Sequence, residues 1–368
     1  MAKSKLHELY AEGVSPWIDS VSREWLETGE LQRLIDEDSI VGVTSNPTIF
    51  QKALATGDWY DEQLGKLLET EDDPTEIFLQ LAMEDIRRAC DVLRPVYDST
   101  EGEDGYVSLE VDPTLAYDRE ATFEQAMRLH EEVDKPNLFV KIPATLPGLA
   151  AIEDVIAKGK SINVTLIFSL DRYAAVAEAY IRGLERLVAG GGDPSGVASV
   201  ASFFVSRVDS EADKRLDAVG KPELKGKLAI PNAKLAYEHW QTAFSGPRWE
   251  FLAAKGASVQ RCLWASTSTK NPEYRDVMYV EELIGPQTVN TMPLETVQAF
   301  QDHGEVRKGS LTKGLDEARS LLEDLAKAGV DYDDVVATLE AEGVQKFADS
   351  FVELLDGIKA KRAELAAA

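Results

Sequence analysis

The chain has 368 residues, with 39 Lys+Arg against 65 Asp+Glu and a formal net charge of −26. Nucleic-acid binding draws most of its affinity from cationic side chains on phosphates. This balance therefore excludes a polyanion-binding surface and requires any phosphorylated small ligand to meet a local cluster of positive or N–H groups. The apolar share of 44% with 28% charged is that of a globular protein with a sizeable core, and the length admits two domains or one α/β barrel. The N-terminal MAKSKLHELYAEG has no apolar run, and no segment approaches the roughly 18 uninterrupted apolar residues of a membrane span. The expectation is a soluble, cytoplasmic protein with neither membrane nor nucleic-acid partners. Cys90 and Cys262, each inside an apolar stretch, read as buried thiols in a reducing compartment.

Along the chain, short apolar or β-branched runs alternate with longer amphipathic, acidic segments. The strand candidates in order are residues 16–21, 40–46, 106–111, 138–143, 162–168, 197–205, 259–266 and 287–292. Between them, residues 74–93 read as a helix: Pro74 suits a first turn, and Ile77, Leu81, Ile86 and Leu93 recur near a 3.6 period. Residues 170–188 and 311–328 read the same way. Eight strand candidates separated by helices imply a parallel sheet, and eight is the number that closes a (β/α)8 barrel. An open doubly wound sheet is the alternative. The expected fold class is thus α/β, one barrel domain over residues 1–368, with its core at about 16–292 and additional N- and C-terminal helices. Residues 293–368 read as a helical wrap whose charges are solvated. The run Gly190 to Gly196 is too short to divide domains, and it joins a helix to a strand, the reverse of a dinucleotide fingerprint.

Side chains alternate along a strand, so the parity of a polar residue assigns its face. In 106–111, Ser108 and Glu110 oppose Val107, Leu109 and Val111. In 162–168, Asn163 and Thr165 oppose the apolar set. Asp19 opposes Ile18, and Thr44 and Asn46 oppose Val43. The apolar set then faces the helices and the polar set faces inward. Each polar residue also falls late in its strand, so all would gather at the C-terminal mouth, where barrel active sites lie.

Lys141 stands alone in the apolar run 138–143. Burial disfavours an ammonium's charged form and frees the amine to attack a carbonyl, which points to Schiff-base chemistry. Its alternative is a snorkelling lysine. Glu110 reads as its partner, because no other inward cation is evident, and as a proton-relay carboxylate. Asp19 reads as an acid or as a cap for a helix starting near Ser22. Asp112, before Pro113, reads as a turn residue. The four histidines have no ligand spacing, so no metal site is expected, and no Gly-x-Ser-x-Gly elbow or phosphate-binding Gly-Lys-Ser/Thr loop occurs. For an anion, Arg207 follows Ser206 at the end of the sixth strand, and Ser266-Thr267-Ser268-Thr269-Lys270 follows the seventh, where barrels commonly hold phosphate.

Five ordered motifs then identify a resemblance: Thr44-Ser45-Asn46-Pro47-Thr48, Val107 to Pro113, Val140-Lys141-Ile142-Pro143-Ala144-Thr145, Asn163 to Ser169, and Ser202-Phe203-Phe204-Val205-Ser206-Arg207. Together they resemble the transaldolases, of the somewhat longer bacterial type. The resemblance implies a cofactor-free barrel enzyme of the non-oxidative pentose phosphate pathway. It would move a dihydroxyacetone unit from fructose 6-phosphate or sedoheptulose 7-phosphate to erythrose 4-phosphate or glyceraldehyde 3-phosphate. It further implies Lys141 as the Schiff-base lysine, Asp19 as the acid/base at the cleaved bond, and Glu110 working through a water held with Thr165. Thr44, Asn46, Asn163 and Ser202 would hold the dihydroxyacetone hydroxyls, and Arg207 with Ser266 the phosphate.

Two features depart from the family pattern. Where better-known members have Ala-Ser-Phe-Arg-Asn, this chain reads Ala265-Ser266-Thr267-Ser268-Thr269-Lys270-Asn271, so either Lys270 replaces the arginine or Ser268 takes its place without charge. The region from Met278 onward carries few of the motifs. The rival reading is a fructose 6-phosphate-type aldolase that releases free dihydroxyacetone. Such relatives lack the glutamate and carry tyrosine where Phe204 stands, so Glu110 with Phe204 favours transfer.

Overall fold

The computed structural model describes residues 4–367. Eight parallel strands close into one barrel in sequence order: β1 (Val14–Ile18), β2 (Gly42–Val43), β3 (Tyr106–Glu110), β4 (Leu138–Pro143), β5 (Ile162–Ile167), β6 (Ser199–Phe204), β7 (Gln260–Ala265) and β8 (Thr288–Met292). The doubly wound alternative is excluded, because β1 pairs with β8 from Val14 opposite Thr288 to Ile18 opposite Met292. Every expected strand is present, most of them trimmed by a residue or two where the chain turns into the mouth loops. The second is the shortest: only Gly42 and Val43 keep ladder geometry, and Thr44 to Asn46 already form the approach to a helix.

The helices follow the sequence signals with two physical adjustments. The helix expected over 74–93 runs on to Ser99, with Pro95 accommodated inside it. The one expected over 311–328 starts at Leu315, because Gly309 and Gly314 adopt left-handed backbone (φ 62° and 74°) on either side of a 3-10 turn. No helix among the described residues is long and apolar enough to cross a membrane.

The inward face is layered rather than uniformly polar. Trp17, Tyr106 and Phe139 share parity with Asp19, Glu110 and Lys141 but come earlier in their strands, so they form an aromatic layer below the polar one. The Tyr106 and Phe139 rings stack at 4.0 Å and 7°, and Trp17 lies 6.1 Å from Phe139. Lower still, Arg261 crosses the N-terminal end of the barrel to Asp104 (3.0 Å) and Ser15 (2.9 Å). The expectation that Lys141 is the sole inward cation is therefore corrected. Arg261 is the second residue of β7, after Gln260, and pairs with a loop carboxylate from distant sequence.

The C-terminal helix Tyr332–Ala367 keeps its charges solvated, as expected, with Asp333, Glu342, Lys346, Asp349 and Glu353 exposed. Its apolar stripe does what the sequence did not foretell: it crosses the mouth and buries Val335, Leu339, Phe347, Phe351 and Leu354. Phe351 meets Phe78 edge-on at 5.6 Å, and Phe78 meets Phe50. Gly343 permits the close approach, since a Cβ there would sit 3.2 Å from Leu166 Cδ2 and 3.4 Å from the Phe168 ring. Polar ties fix the helix along its length: Glu340 to Arg172 at 3.0 Å, Ser350 to Thr48 at 2.8 Å and Glu353 to Gln51 at 2.7 Å.

Gly42 leaves the room that the Trp17 indole occupies, for a Cβ there would lie 2.3 Å from the ring. Gly42→Ala should therefore overpack the aromatic layer and cost about 1–3 kcal/mol, read from the urea unfolding midpoint.

Candidate active site

Strand register assembles the site. Glu110 lies opposite Lys141 across β3 and β4, and Lys141 opposite Asn163 across β4 and β5, so three polar residues form one inward row. The Lys141 ammonium is 3.1 Å from Glu110 Oε2 and donates to the Ser45 carbonyl at 3.1 Å. Both side chains are almost wholly buried, at 6% and 3% exposure. The Lys141–Glu110 contact is an ion pair without hydrogen-bond alignment. Both Glu110 oxygens and Thr165 Oγ1 are buried with no hydrogen-bond partner among the described residues. Burial pushes the Glu110 carboxyl above its ordinary range, and the Lys141 charge opposes the shift.

Asp19 sits just past β1, held by its N–H to the Met292 carbonyl at 2.8 Å. Its Oδ1 accepts from Thr44 Oγ1 at 2.6 Å, and Thr44 in turn touches Thr291 Oγ1 at 2.7 Å. Ser22, not Asp19, caps the helix that follows. Burial raises the Asp19 carboxyl above its ordinary value of 3.8, with Lys141 the chief opposing charge.

Above these groups opens a cavity of about 260 Å³. Of the residues expected at the site, Asp19, Thr44, Asn46, Lys141, Thr165, Ser202 and Phe204 line its deep part, and Arg207, Ser266, Ser268 and Lys270 its outer part. Glu110 and Asn163 lie in the layer beneath. Asn163 is held on both sides, donating to Ser108 Oγ at 3.0 Å and accepting from Ser202 Oγ at 2.7 Å. Asn46 also caps the helix Pro47–Ala55, its Oδ1 accepting from the Ile49 N–H. Asp112 caps a 3-10 turn through Thr114 and stays out of the cavity.

At the outer end the Arg207 guanidinium packs 5.3 Å from the Phe204 ring. Ser266 adopts φ 56° and meets Ser206 Oγ at 2.9 Å, which turns the segment after β7 across the mouth. Thr267 anchors this segment to Asn290 at 2.9 Å. The open choice between Ser268 and Lys270 becomes a pair, since Lys270 Nζ donates to Ser268 Oγ at 2.7 Å and both reach the cavity. Burial and the nearby Arg207 both lower the Lys270 ammonium from its ordinary value.

Sequence reasoning missed several lining residues. Thr291 carries a usable signal, as a polar residue late in β8. Lys52 shares a helix face with Thr48, four positions earlier on the helix that Asn46 caps. Lys346 and Phe347 carry no local signal, because only the long-range path of the C-terminal helix brings them to the mouth. The Phe347 ring lies 5.5 Å from Lys141 Nζ and 6.0 Å from the Arg207 guanidinium.

A closed parallel barrel with a buried lysine, a paired carboxylate and a cationic rim at its C-terminal mouth is an aldolase-class barrel, built for carbonyl chemistry on small anionic substrates. The comparisons with known proteins narrow this. Residues 16–358 match the family described as Transaldolase/Fructose-6-phosphate aldolase. The chain is 56% identical to the transaldolase of Frankia alni over 96% of both chains. It is 53% identical to that of Acidothermus cellulolyticus, over 95% of this chain and 94% of the relative. Transaldolase 2 of Streptomyces avermitilis is 50% identical over 98% of each. The chain belongs to the transaldolase/fructose-6-phosphate aldolase family.

Because ionised Asp19 is disfavoured in the fold, Asp19→Asn should match or exceed the wild type in thermal stability at pH 7. The amide oxygen can still accept from Thr44. The sign follows from linkage: a carboxyl raised by folding costs stability only where it is ionised. The variant's advantage should therefore shrink to nothing as pH falls to the ordinary value of 3.8. Paired melting curves across that range check it.

Proposed function

We propose that the protein is a transaldolase, moving a dihydroxyacetone unit from fructose 6-phosphate or sedoheptulose 7-phosphate to erythrose 4-phosphate or glyceraldehyde 3-phosphate. The observation that carries this reading is the Lys141 amine held 3.1 Å from a buried carboxylate at the base of a cavity with a cationic rim. Lys141 attacks the ketone carbon, and the carbinolamine loses water to leave an iminium. Glu110 and Thr165, whose oxygens have no protein partner, handle that water.

The iminium then draws the electrons of the C3–C4 bond as it breaks, giving an enamine. Asp19 takes the proton of the C4 hydroxyl, and the aldose phosphate leaves. Burial raises the proton affinity of Asp19 and suits it to that task. The enamine adds to a second aldehyde, Asp19 returns the proton, and hydrolysis frees Lys141. Thr44, Asn46, Asn163 and Ser202 hold the three-carbon unit, Phe204 walls it, and Arg207 with Ser266, Ser268 and Lys270 holds the phosphate. No cofactor enters the scheme. Such an enzyme acts on small sugar phosphates in the cytoplasm, in the non-oxidative pentose phosphate pathway, as one barrel domain that includes its C-terminal helices.

The lyase alternative releases dihydroxyacetone without an acceptor. Glu110 paired to Lys141, with Phe204 in place of a tyrosine, supports transfer. Borohydride added with fructose 6-phosphate should fix a reduced three-carbon adduct on Lys141, located by peptide mass spectrometry; an unmodified Lys141 would overturn the imine scheme. In a coupled assay, glyceraldehyde 3-phosphate should form from fructose 6-phosphate far faster with erythrose 4-phosphate than without. Equal rates would make the protein a lyase.

A further inference from the structure

Besides Lys141, which is paired with Glu110, four cationic side chains line the cavity of this acidic chain: Lys52, Arg207, Lys270 and Lys346. Elsewhere the arginines are largely taken up by carboxylates, as in Arg33 with Glu30, Arg128 with Glu76 and Arg248 with Glu178. Among the described residues, none of the four cavity cations makes an ion pair. Lys270 reaches only Ser268 Oγ, and Arg207 packs between the Phe204 and Phe347 rings. Like charges gathered without counter-charge are unfavourable, and the arrangement is explained if an anion completes it.

Three of the four converge. The Lys346 ammonium is held down chiefly by Arg207, and Lys270, lowered first by burial, is depressed further by Arg207 and Lys346. Lys52 bears on Lys346 alone. Carboxylates partly offset the group, Glu295 and Asp19 toward Lys270 and Asp19 and Glu342 toward Arg207. Lys346 is carried to the mouth by a fixed stretch of helix. Its helix is tied six residues before it, Glu340 to Arg172, and four residues after it, Ser350 to Thr48. The neighbouring Phe347 spans from Lys141 to Arg207, so this turn of helix lies over both the reacting end and the anion end of the cavity.

We propose that Lys346 of the C-terminal helix is the third cation of the substrate-phosphate subsite, with Arg207 and Lys270, and that it sets the preference for phosphorylated over free sugars. A planar guanidinium and two point-charge ammoniums then surround one dianion, with the Ser266 and Ser268 hydroxyls donating to its remaining oxygens. This rests on the transaldolase reading for the identity of the sugar, but the anion site itself stands on the cation geometry.

The test compares acceptors at saturating fructose 6-phosphate. In Lys346→Gln, the ratio of kcat/KM for erythrose 4-phosphate over D-erythrose should fall about tenfold, the effect of one charge-assisted contact, and Lys346→Arg should restore most of it. An unchanged ratio, or equal loss on both acceptors, overturns the assignment. Inorganic phosphate with the substrate-free protein gives an independent arm. It should raise the wild-type melting temperature and raise that of Lys346→Gln distinctly less; equal shifts count against the proposal. Absence of any transfer by the wild type would sink the transaldolase reading alone, since the phosphate arm needs no turnover.

Discussion

The buried pair of Lys141 and Glu110 sets the terms for the rest of the molecule. Removing two charges from water costs several kcal/mol each, and their attraction offsets this only when both are held in place. The barrel holds them by register, since Glu110 and Lys141 face one another across adjacent strands whose backbone groups are ladder-bonded. The aromatic layer of Trp17, Tyr106 and Phe139 forms a rigid floor under the pair, and Phe347 forms a roof over the ammonium. A lysine fixed in this way has little side-chain freedom left to lose in any further contact it makes.

The charge distribution follows from the same need. The outer helices carry many acids whose nearest cations are already engaged in surface pairs, such as Arg33 between Glu30, Glu37 and Asp38. Each such pair contributes little stability. The cations at the rim of the mouth are not engaged in such pairs, so a chain of net charge −26 keeps local positive charge there.

Much of this was legible in the sequence, for reasons that can be named. Eight apolar runs gave eight strands, because period-two alternation in a parallel sheet is local and strong. Parity located Glu110, Lys141, Asn163 and Thr165 on the inward face for the same reason. What failed was also physical. Parity says which face a residue takes but not which layer, so the aromatic floor went unread although Phe139 and Lys141 share a face. Arg261 escaped because its partner Asp104 lies 157 positions away. Lys346 and Phe347 escaped because an amphipathic helix reports its apolar stripe and not the surface that stripe will cover.

That helix also orders events in time. The contact from Thr48 to Ser350 joins residues 302 positions apart, so the mouth receives its cover only after all eight strands have been synthesised. Contacts this distant in sequence form late, because the chain between them must first be organised. Until that helix docks, the Lys141 ammonium lacks its aromatic roof and the mouth lacks Lys346, and the same turn of helix supplies both.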